Sequence, residues 1–492
     1  MKRESTKRKA NPTHPHSRIH LLGAAGTVTG SKFLVEYFAK NRTVRFLFDI
    51  GQHQGSEQSD KAQWPKGITP SMIDFTIITH AHIDHSGLWP KLIKDGNKGF
   101  AYATPATKDL LKILLPDSGH IQELDAIEEN RKRRKGPRVR PLYTMKEAKK
   151  SLERIKTIEY NTPTTLAPGV VVTFTQAAHI LGAAVTTVVL GTGEDQRVIV
   201  DNGNIGRPNT TLLKPLKAVR KADVLLIEST YGNVLHDRRD RLQALADTIN
   251  DGYKRALKKH QKFGYGKILI PAFAVGRVQA VLYDLRQLME EGRIPVIPVF
   301  LDSPMASKAT QVYRDYHKLY NNEARAIVAR GVDPISTPKF FETRKKDQSE
   351  LLQKPSAEPV IIIGSSGMAT GGRIRGHIER CLPGAQNTVL FVGHQEEGAL
   401  GYELVNNHPK SVVMDNNVVN VNATIALMQD YSGHADYEDS IAWLKKFETA
   451  PTLTVLKHGE PEGLEGFKTH IEQNLPGWKV EIGKSMQAID VR

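Results

Sequence analysis

The 492-residue sequence predicts an α/β protein of two domains. Three observations carry that reading. The chain is too long for one simple core. Strands and turns fill roughly the first two hundred residues. Beyond them buried strands alternate with helices, a pattern that builds a parallel sheet with helices on its faces.

Taken in order, RIHLLGAAG, SKFLVEY and TVRFLFDIG read as three strands broken by glycine. FTIIT is short, apolar and β-branched, as a buried strand should be. KDLLKILLPDSGHIQELDAIEENRKRRKG reads as a helix, and its basic end, Arg131 to Lys135, is either a solvated helix end or a phosphate contact. GVVVTFTQAAHI and AAVTTVVLG alternate like paired strands, and QRVIVDNGNIGRP closes that set. ADVLLIESTYG then reads as a buried strand ending in polar residues, followed by the helix RDRLQALADTINDGYKRALKK. The alternation continues through KILIPAFAVGRVQAVLYDLRQLMEEG and IPVIPVFLDSPMASKATQVYRDYHKLY.

Lysine and arginine total 68 against 53 acidic residues, a formal charge of +15 that suits a polyanionic partner or simply keeps the protein in solution. The single cysteine, Cys381, excludes an intrachain disulfide and a CxxC metal knuckle, which fits a reducing, cytoplasmic setting. No apolar run approaches the roughly 20 residues of a membrane span. The N-terminal stretch 1–17 is basic without an apolar h-region, so it reads as a disordered basic tail rather than a secretory signal.

The densest chemistry lies in TIITHAHIDHSG, where His80, His82, Asp84 and His85 occupy six positions just after a strand. Residues two apart on an extended segment point the same way, so His80 and His82 converge. Asp84 and His85 fall in the turn that follows. Two imidazoles on one side and a carboxylate plus imidazole on the other suit two adjacent metal ions. Imidazole and carboxylate donors favour zinc, with manganese or iron behind.

HAHIDHSG resembles the HxHxDH signature of the metallo-β-lactamase fold. FLFDIGQHQG (46–55) resembles that fold's first motif and AAHILGAA (177–184) its third. IESTYGNVLH, IPAFAVGRVQ, LDSPMA, SSGMATGGR, YSGHAD and KHGEPEG follow in the order of the β-CASP branch, a group of nucleic-acid hydrolases. The resemblance covers nearly the whole chain and implies a metallo-β-lactamase αββα sandwich interrupted by a β-CASP α/β domain, a parallel sheet flanked by helices. The implied division is 18–208, an inserted block at 209–405, and a return to the sandwich at 406–492, with the active site in the cleft between domains.

The resemblance also implies roles. His80, His82 and His179 hold one metal and Asp84, His85 and His458 the other, two Zn²⁺ with Mn²⁺ as the alternative; Asp49 holds a ligand histidine. The ions lower the pKa of a bridging water and clamp phosphate oxygens for in-line attack. His434 acts as general acid and Glu228 orients it, against a structural reading in which Glu228 caps STYG. Ser365, Ser366, Gly367 and Arg277 are phosphate candidates; for Arg277 the competing reading is an ion pair inside the inserted block.

One position departs from the family. Its fourth motif reads Ser-Gly-Asp, whereas this chain has Asn202, Gly203 and Asn204, so a neutral amide stands where a metal-bridging carboxylate belongs. Asp201, three residues upstream, could substitute only with local rearrangement. Three explanations stay open: an inactivating substitution, natural loss of catalysis, and a tolerated variant with altered metal demand. A smaller departure is Ala399, where threonine is usual. His458 in the last motif matches RNA-directed members of the family, and no RRM, KH or zinc-knuckle signature competes. The expected function is a metal-dependent ribonuclease, endo- or 5′–3′ exonucleolytic, leaving 5′-phosphate and 3′-hydroxyl ends; the alternative is a weak or inactive RNA-binding scaffold. RNA is the expected partner, with a homodimer or RNA-processing complex possible and no membrane.

Overall fold

The computed structural model describes residues 16–53, 64–133, 136–261 and 264–492. The expected tail therefore lies outside the described residues up to position 15, and Ser17 already opens the first strand. Gln54 and Gly55 of the first motif, and Arg134 and Lys135 of the basic run, also lie outside them. Among the described residues no helix is long and apolar enough to cross a membrane.

Two seven-stranded sheets face each other. The first runs Ala488–Val491, Ser17–Gly23, Lys32–Ala39, Arg42–Phe48, Phe75–Ile77, Phe100–Ala103 and Ile155–Thr157. The second runs Val480–Ile482, Leu453–Lys457, Val224–Glu228, Arg197–Asp201, Ala184–Leu190, Val170–Gln176 and Thr164–Ala167. Strand alternation sends Phe33, Val35, Phe46 and Phe48 inward to meet Val172, Phe174, Val188 and Leu226 in one buried cluster. The opposite faces bury Leu47 and Ala103 with Leu110 and Leu111 of the helix Pro105–Lys132, and Leu225 and Leu456 with Phe467 and Ile471 of Pro461–Asn474. This is the αββα sandwich.

A third sheet has six strands, ordered Phe340–Glu342, Val299–Leu301, Val360–Gly364, Lys267–Pro271, Thr388–Phe391 and Thr424–Leu427, all parallel. Ile268 and Ile270 pack with Val281 and Leu285 of the helix Arg277–Glu290 on one face; Leu269 and Ile362 pack with Ile374 and Ile378 of Gly372–Cys381 on the other. Helix cover on both faces explains why these strands are apolar throughout rather than alternating.

The expected limits of the inserted block, 209 and 405, do not coincide with its strands. Val224–Glu228 pairs with Arg197–Asp201 and Leu453–Lys457 in the second sheet, so it belongs to the sandwich although it follows residue 209. Thr424–Leu427 pairs with Thr388–Phe391 in the third sheet, so that sheet continues past residue 405. Both strands are apolar and feed loops, and the apolar pattern does not say which sheet a strand joins.

Candidate metal and active site

The candidate side chains sit where strands of the sandwich end. His80 and His82 follow Phe75–Ile77, His179 follows Val170–Gln176, and Asn204 follows Arg197–Asp201. Glu228 closes Val224–Glu228, and His458 leaves Leu453–Lys457. His434 comes from the segment after Thr424–Leu427, the edge strand of the third sheet. Asp49, Ala178 and His458 adopt positive φ (56°, 63° and 51°), a conformation that side-chain-bearing residues hold only where the surroundings enforce it.

Two triads of donor atoms result. His80 Nε2 and His179 Nε2 each stand 3.2 Å from His82 Nδ1. Beside them, His85 Nε2 is 3.1 Å from His458 Nε2, and Asp84 Oδ2 is 3.3 Å from His458 Nε2 and 3.4 Å from His85 Nε2. Within each triad all three ligand atoms lie within 4.8 Å of one another. Tetrahedral coordination with bonds of about 2.0–2.1 Å sets neighbouring donors roughly 3.3 Å apart. Imidazole lone pairs converging at that spacing repel unless a cation lies between them, so both donor sets fit metal ions.

Hydrogen bonds behind the rings set their tautomers. Thr79 Oγ1 gives its proton to Asp49 Oδ2 (3.0 Å), so at 3.1 Å it accepts from His80 Nδ1. His85 Nδ1 donates to Asp49 Oδ2 at 2.6 Å, and His179 Nδ1 donates to the Gly433 carbonyl at 3.0 Å. Thr230 Oγ1 donates to Glu228 Oε2 at 2.7 Å and accepts from His458 Nδ1 at 3.0 Å. Each of these four rings carries its proton on the outer nitrogen and aims the Nε2 lone pair inward.

Burial reinforces that state. It is the leading cause holding His80, His85 and His179 well below the ordinary imidazole range, and it takes His82 down to about 4. The rings are therefore neutral and available as ligands. Burial alone would raise Asp84, but the neighbouring His85 and His458 hold it well below the usual carboxylate range, so it is an anion.

Glu228, 3% exposed, accepts from the Ile205 amide at 2.6 Å, from Thr230, and from His434 Nδ1 at 2.7 Å. The two readings of this carboxylate are not exclusive: it ties its own loop and orients His434. Burial would raise its pKa, yet His434 holds it below the ordinary value. The His434 ring centroid is 4.4 Å from that of His179, so the His434 ring adjoins the first triad.

Asn204 is 1% exposed, and neither its Oδ1 nor its Nδ2 has a hydrogen-bond partner among the described residues. Its loop is pinned on both sides. Asn202 Oδ1 accepts from the Glu228 amide at 3.0 Å, and a Cβ at Gly206 would come within 2.8 Å of the His179 amide nitrogen. A doubly orphaned buried amide costs several kcal/mol, on the order of 1–3 per group, unless something bound satisfies it. Asp201 Oδ1 is committed elsewhere, pairing with Lys457 Nζ at 3.0 Å and accepting from the Gly203 amide at 2.8 Å, while its Oδ2 has no hydrogen-bond partner among the described residues.

Arg277 opens its helix over the Phe273 ring and donates to the Tyr431 carbonyl at 3.3 Å. No carboxylate pairs with it among the described residues, so the ion-pair reading is not realised. Burial lowers it to about 10, which leaves it a cation at neutral pH. Ser365, Ser366 and Gly367 follow Val360–Gly364 at the same end of the third sheet. The Ser366 hydroxyl is occupied, accepting from the Thr370 and Gly371 amides at 3.0 and 3.3 Å, which closes its own loop. Ser365 Oγ meets Ser303 Oγ at 3.3 Å.

Thr79, Thr230 and the buried Asp201–Lys457 pair carry no signal in the sequence. Thr79 and Thr230 each lie within two residues of a singled-out position, but threonine beside a motif is ordinary, and nothing local marks Lys457 as buried.

Three family models match the chain: metallo-beta-lactamase superfamily at 55–200, Beta-Casp domain at 278–404, and Zn-dependent metallo-hydrolase RNA specificity domain at 418–482. The chain is 31% identical over 452 residues to Ribonuclease TTHA0252 of Thermus thermophilus, covering 91% of this chain and 94% of that protein. It is 30% identical over 491 residues to Transcription termination factor FttA of Pyrococcus abyssi, covering 96% of this chain and 71% of that one. Among solved structures, a protein of unknown function from Enterococcus faecalis shares the fold with a TM-score of 0.54 at 12% identity, over 96% of this chain and 99% of that chain.

Proposed function

The chain belongs to the β-CASP branch of the metallo-β-lactamase superfamily, and from that premise we propose that it is a metal-dependent ribonuclease attenuated by Asn204. It hydrolyses RNA phosphodiester bonds to 5′-phosphate and 3′-hydroxyl ends. The observation that carries the reading is the pair of convergent donor triads adjoining the Glu228–His434 hydrogen bond. His80, His82 and His179 would hold one ion and Asp84, His85 and His458 the other, with Zn²⁺ favoured over Mn²⁺ by the imidazole-rich set. Bound there, the ions supply Lewis acidity toward the phosphate and an activated water.

The chain's own residues do the rest. Asp49 and Thr79 keep His85 and His80 in the ligating tautomer. Glu228 fixes His434 through Nδ1, so that Nε2, when protonated, delivers its proton to the departing 3′ oxygen. That transfer is what makes the product a 3′-hydroxyl. Arg277, a cation without a carboxylate partner among the described residues, neutralises a substrate phosphate, and Ser365 and Gly367 line the same side of the cleft. Ser366 shapes that loop rather than binding phosphate, because its oxygen already accepts two amides.

Asn204 sets the rate. An aspartate at this position would bring a second carboxylate to two dications, whereas the donor set as it stands contains Asp84 alone. A neutral amide stabilises the pair less and positions the nucleophile less well. A slow RNA-binding paralogue is the second reading, and the unpartnered amide is what favours it. The cytoplasm suits a chain with one buried, unpaired cysteine. Elemental analysis of the purified protein beside a cleavage assay with end-group identification tests the proposal. Metal-dependent production of 5′-phosphate ends supports it. A fully metal-loaded protein that binds RNA and never cleaves it would leave the paralogue.

A further inference from the structure

Phe273, in the loop that leaves Lys267–Pro271, is 39% exposed although it stands beside the candidate site. Its position there follows from three close approaches. A Cβ at Gly276 would lie 3.0 Å from Ile180 Cγ2, which puts the loop against the residue after His179. Arg277 donates to the Tyr431 carbonyl, three residues before His434. A Cβ at Gly367 would come 3.1 Å from the Phe273 nitrogen and 3.3 Å from its Cδ2, so only glycine leaves that edge of the ring uncrowded.

The Arg277 guanidinium lies 4.7 Å from the Phe273 ring centroid, within cation–π range. Gly393 makes room for it, since a Cβ there would stand 2.5 Å from Arg277 Nη1. The protein thus presents an aromatic ring partly open to solvent and, against it, a cation with no carboxylate partner among the described residues. Each is incomplete alone, and together they match one ligand: a nucleotide has a flat base for the ring and a phosphate for the cation.

We propose that Phe273 is the stacking platform for a nucleobase of bound RNA adjacent to the scissile phosphate, with Arg277 holding the ring in place and meeting the neighbouring phosphate. The proposal rests on the ribonuclease reading and deepens it. Stacking is tolerant of base identity because every base has a π-face, so this subsite sets register along the strand rather than sequence. It also favours single-stranded RNA, since a paired base cannot leave its stack without cost.

The test uses metal-loaded protein and a short single-stranded RNA carrying 2-aminopurine at one position at a time, read by stopped flow before cleavage. With the wild type, fluorescence should be quenched at one position, and an abasic site there should weaken binding by roughly 5- to 100-fold. Phe273→Leu should lose the quench and bind the intact strand that much more weakly, with no further loss on the abasic strand. Phe273→Trp should keep both. An unchanged quench and affinity in Phe273→Leu, or an abasic strand that binds the wild type as well as the intact one at every position, overturns the platform alone. A wild type that binds no RNA overturns the ribonuclease reading with it. Should Phe273→Leu lose its metal, the abasic series on the wild type and the Phe273→Trp quench still decide.

Discussion

The two donor triads sit side by side, yet they are built from different charges. The first, His80, His82 and His179, is three neutral imidazoles. The second, Asp84, His85 and His458, carries a carboxylate held as an anion, and Asp49, which burial pushes up, accepts from His85 behind it. Spacing is similar, with His82 Nδ1 3.2 Å from each of its two partners in the first triad and donors 3.1–3.4 Å apart in the second. What differs is how much positive charge each can neutralise. In the proposed reading, an aspartate in place of Asn204 would even them out. Ligand spacing and ligand charge are therefore separate requirements, and this chain meets the first more fully than the second.

The largest effect should come from removing a donor. His80→Ala or His82→Ala is expected to lose metal from the first triad and take RNA cleavage to background together; elemental analysis beside a cleavage assay reads both. Unchanged metal content in both variants would dissolve the comparison, because the triad would not be a ligand set.

Next is His434→Ala, which should leave the metal content of both triads intact and slow cleavage by about 10²–10⁴-fold, the usual contribution of a general acid. Full activity would remove His434 from the mechanism. Loss of metal would instead make it a ligand of the first triad.

Asn204→Asp should erase the contrast. It is expected to raise single-turnover cleavage tenfold or more, each tenfold being about 1.4 kcal/mol of barrier, and to bring the two metal affinities closer in a chelator competition. RNA affinity at matched salt should change little, because it rests on cations spread over the cleft. Equal rates with equal metal occupancy would show that another residue already bridges the ions.

The smallest effect is on stability without metal. His82 is neutral in the fold down to about 4, whereas in the unfolded chain it takes up a proton near 6.5. Between those values the unfolded state binds more protons, so folding stability is complete above about 6.5 and declines as pH falls toward 4. His80, His85 and His179 shift in the same direction. Each contributes at most about 1.4 kcal/mol per pH unit. Urea unfolding of chelator-treated protein between pH 7 and pH 4 should show the decline, and His82→Asn should make it shallower by its own share. A curve without slope would mean the rings are solvated.

Much of this was legible in the residue order, for a local reason. A short β-branched run followed by His80, His82, Asp84 and His85 sets a strand, a turn and four side-chain directions within ten residues. Alternation in GVVVTFTQ and AAVTTVVL marks strands with one face in a core, and the structure pairs them antiparallel. The limits of the inserted block were less legible, because ADVLLIE is apolar on both faces whichever sheet it enters.

By itself, then, the sequence determined what short-range sterics and patterning control: an α/β fold, strands that end in polar loops, a histidine-rich turn, and an amide at Asn204. Only the tertiary structure decided which distant groups meet. His458 reaches His85 across 373 residues because Leu453–Lys457 lies beside Val224–Glu228 in the second sheet. Thr230 serves Glu228 and His458 at once, and Lys457 is buried against Asp201. Gly367 leaves one edge of Phe273 uncrowded, and Gly393 makes room for the Arg277 guanidinium beside that ring. Such contacts depend on sheet order and loop closure, which minimise the energy of the whole chain and leave no periodicity in any one segment.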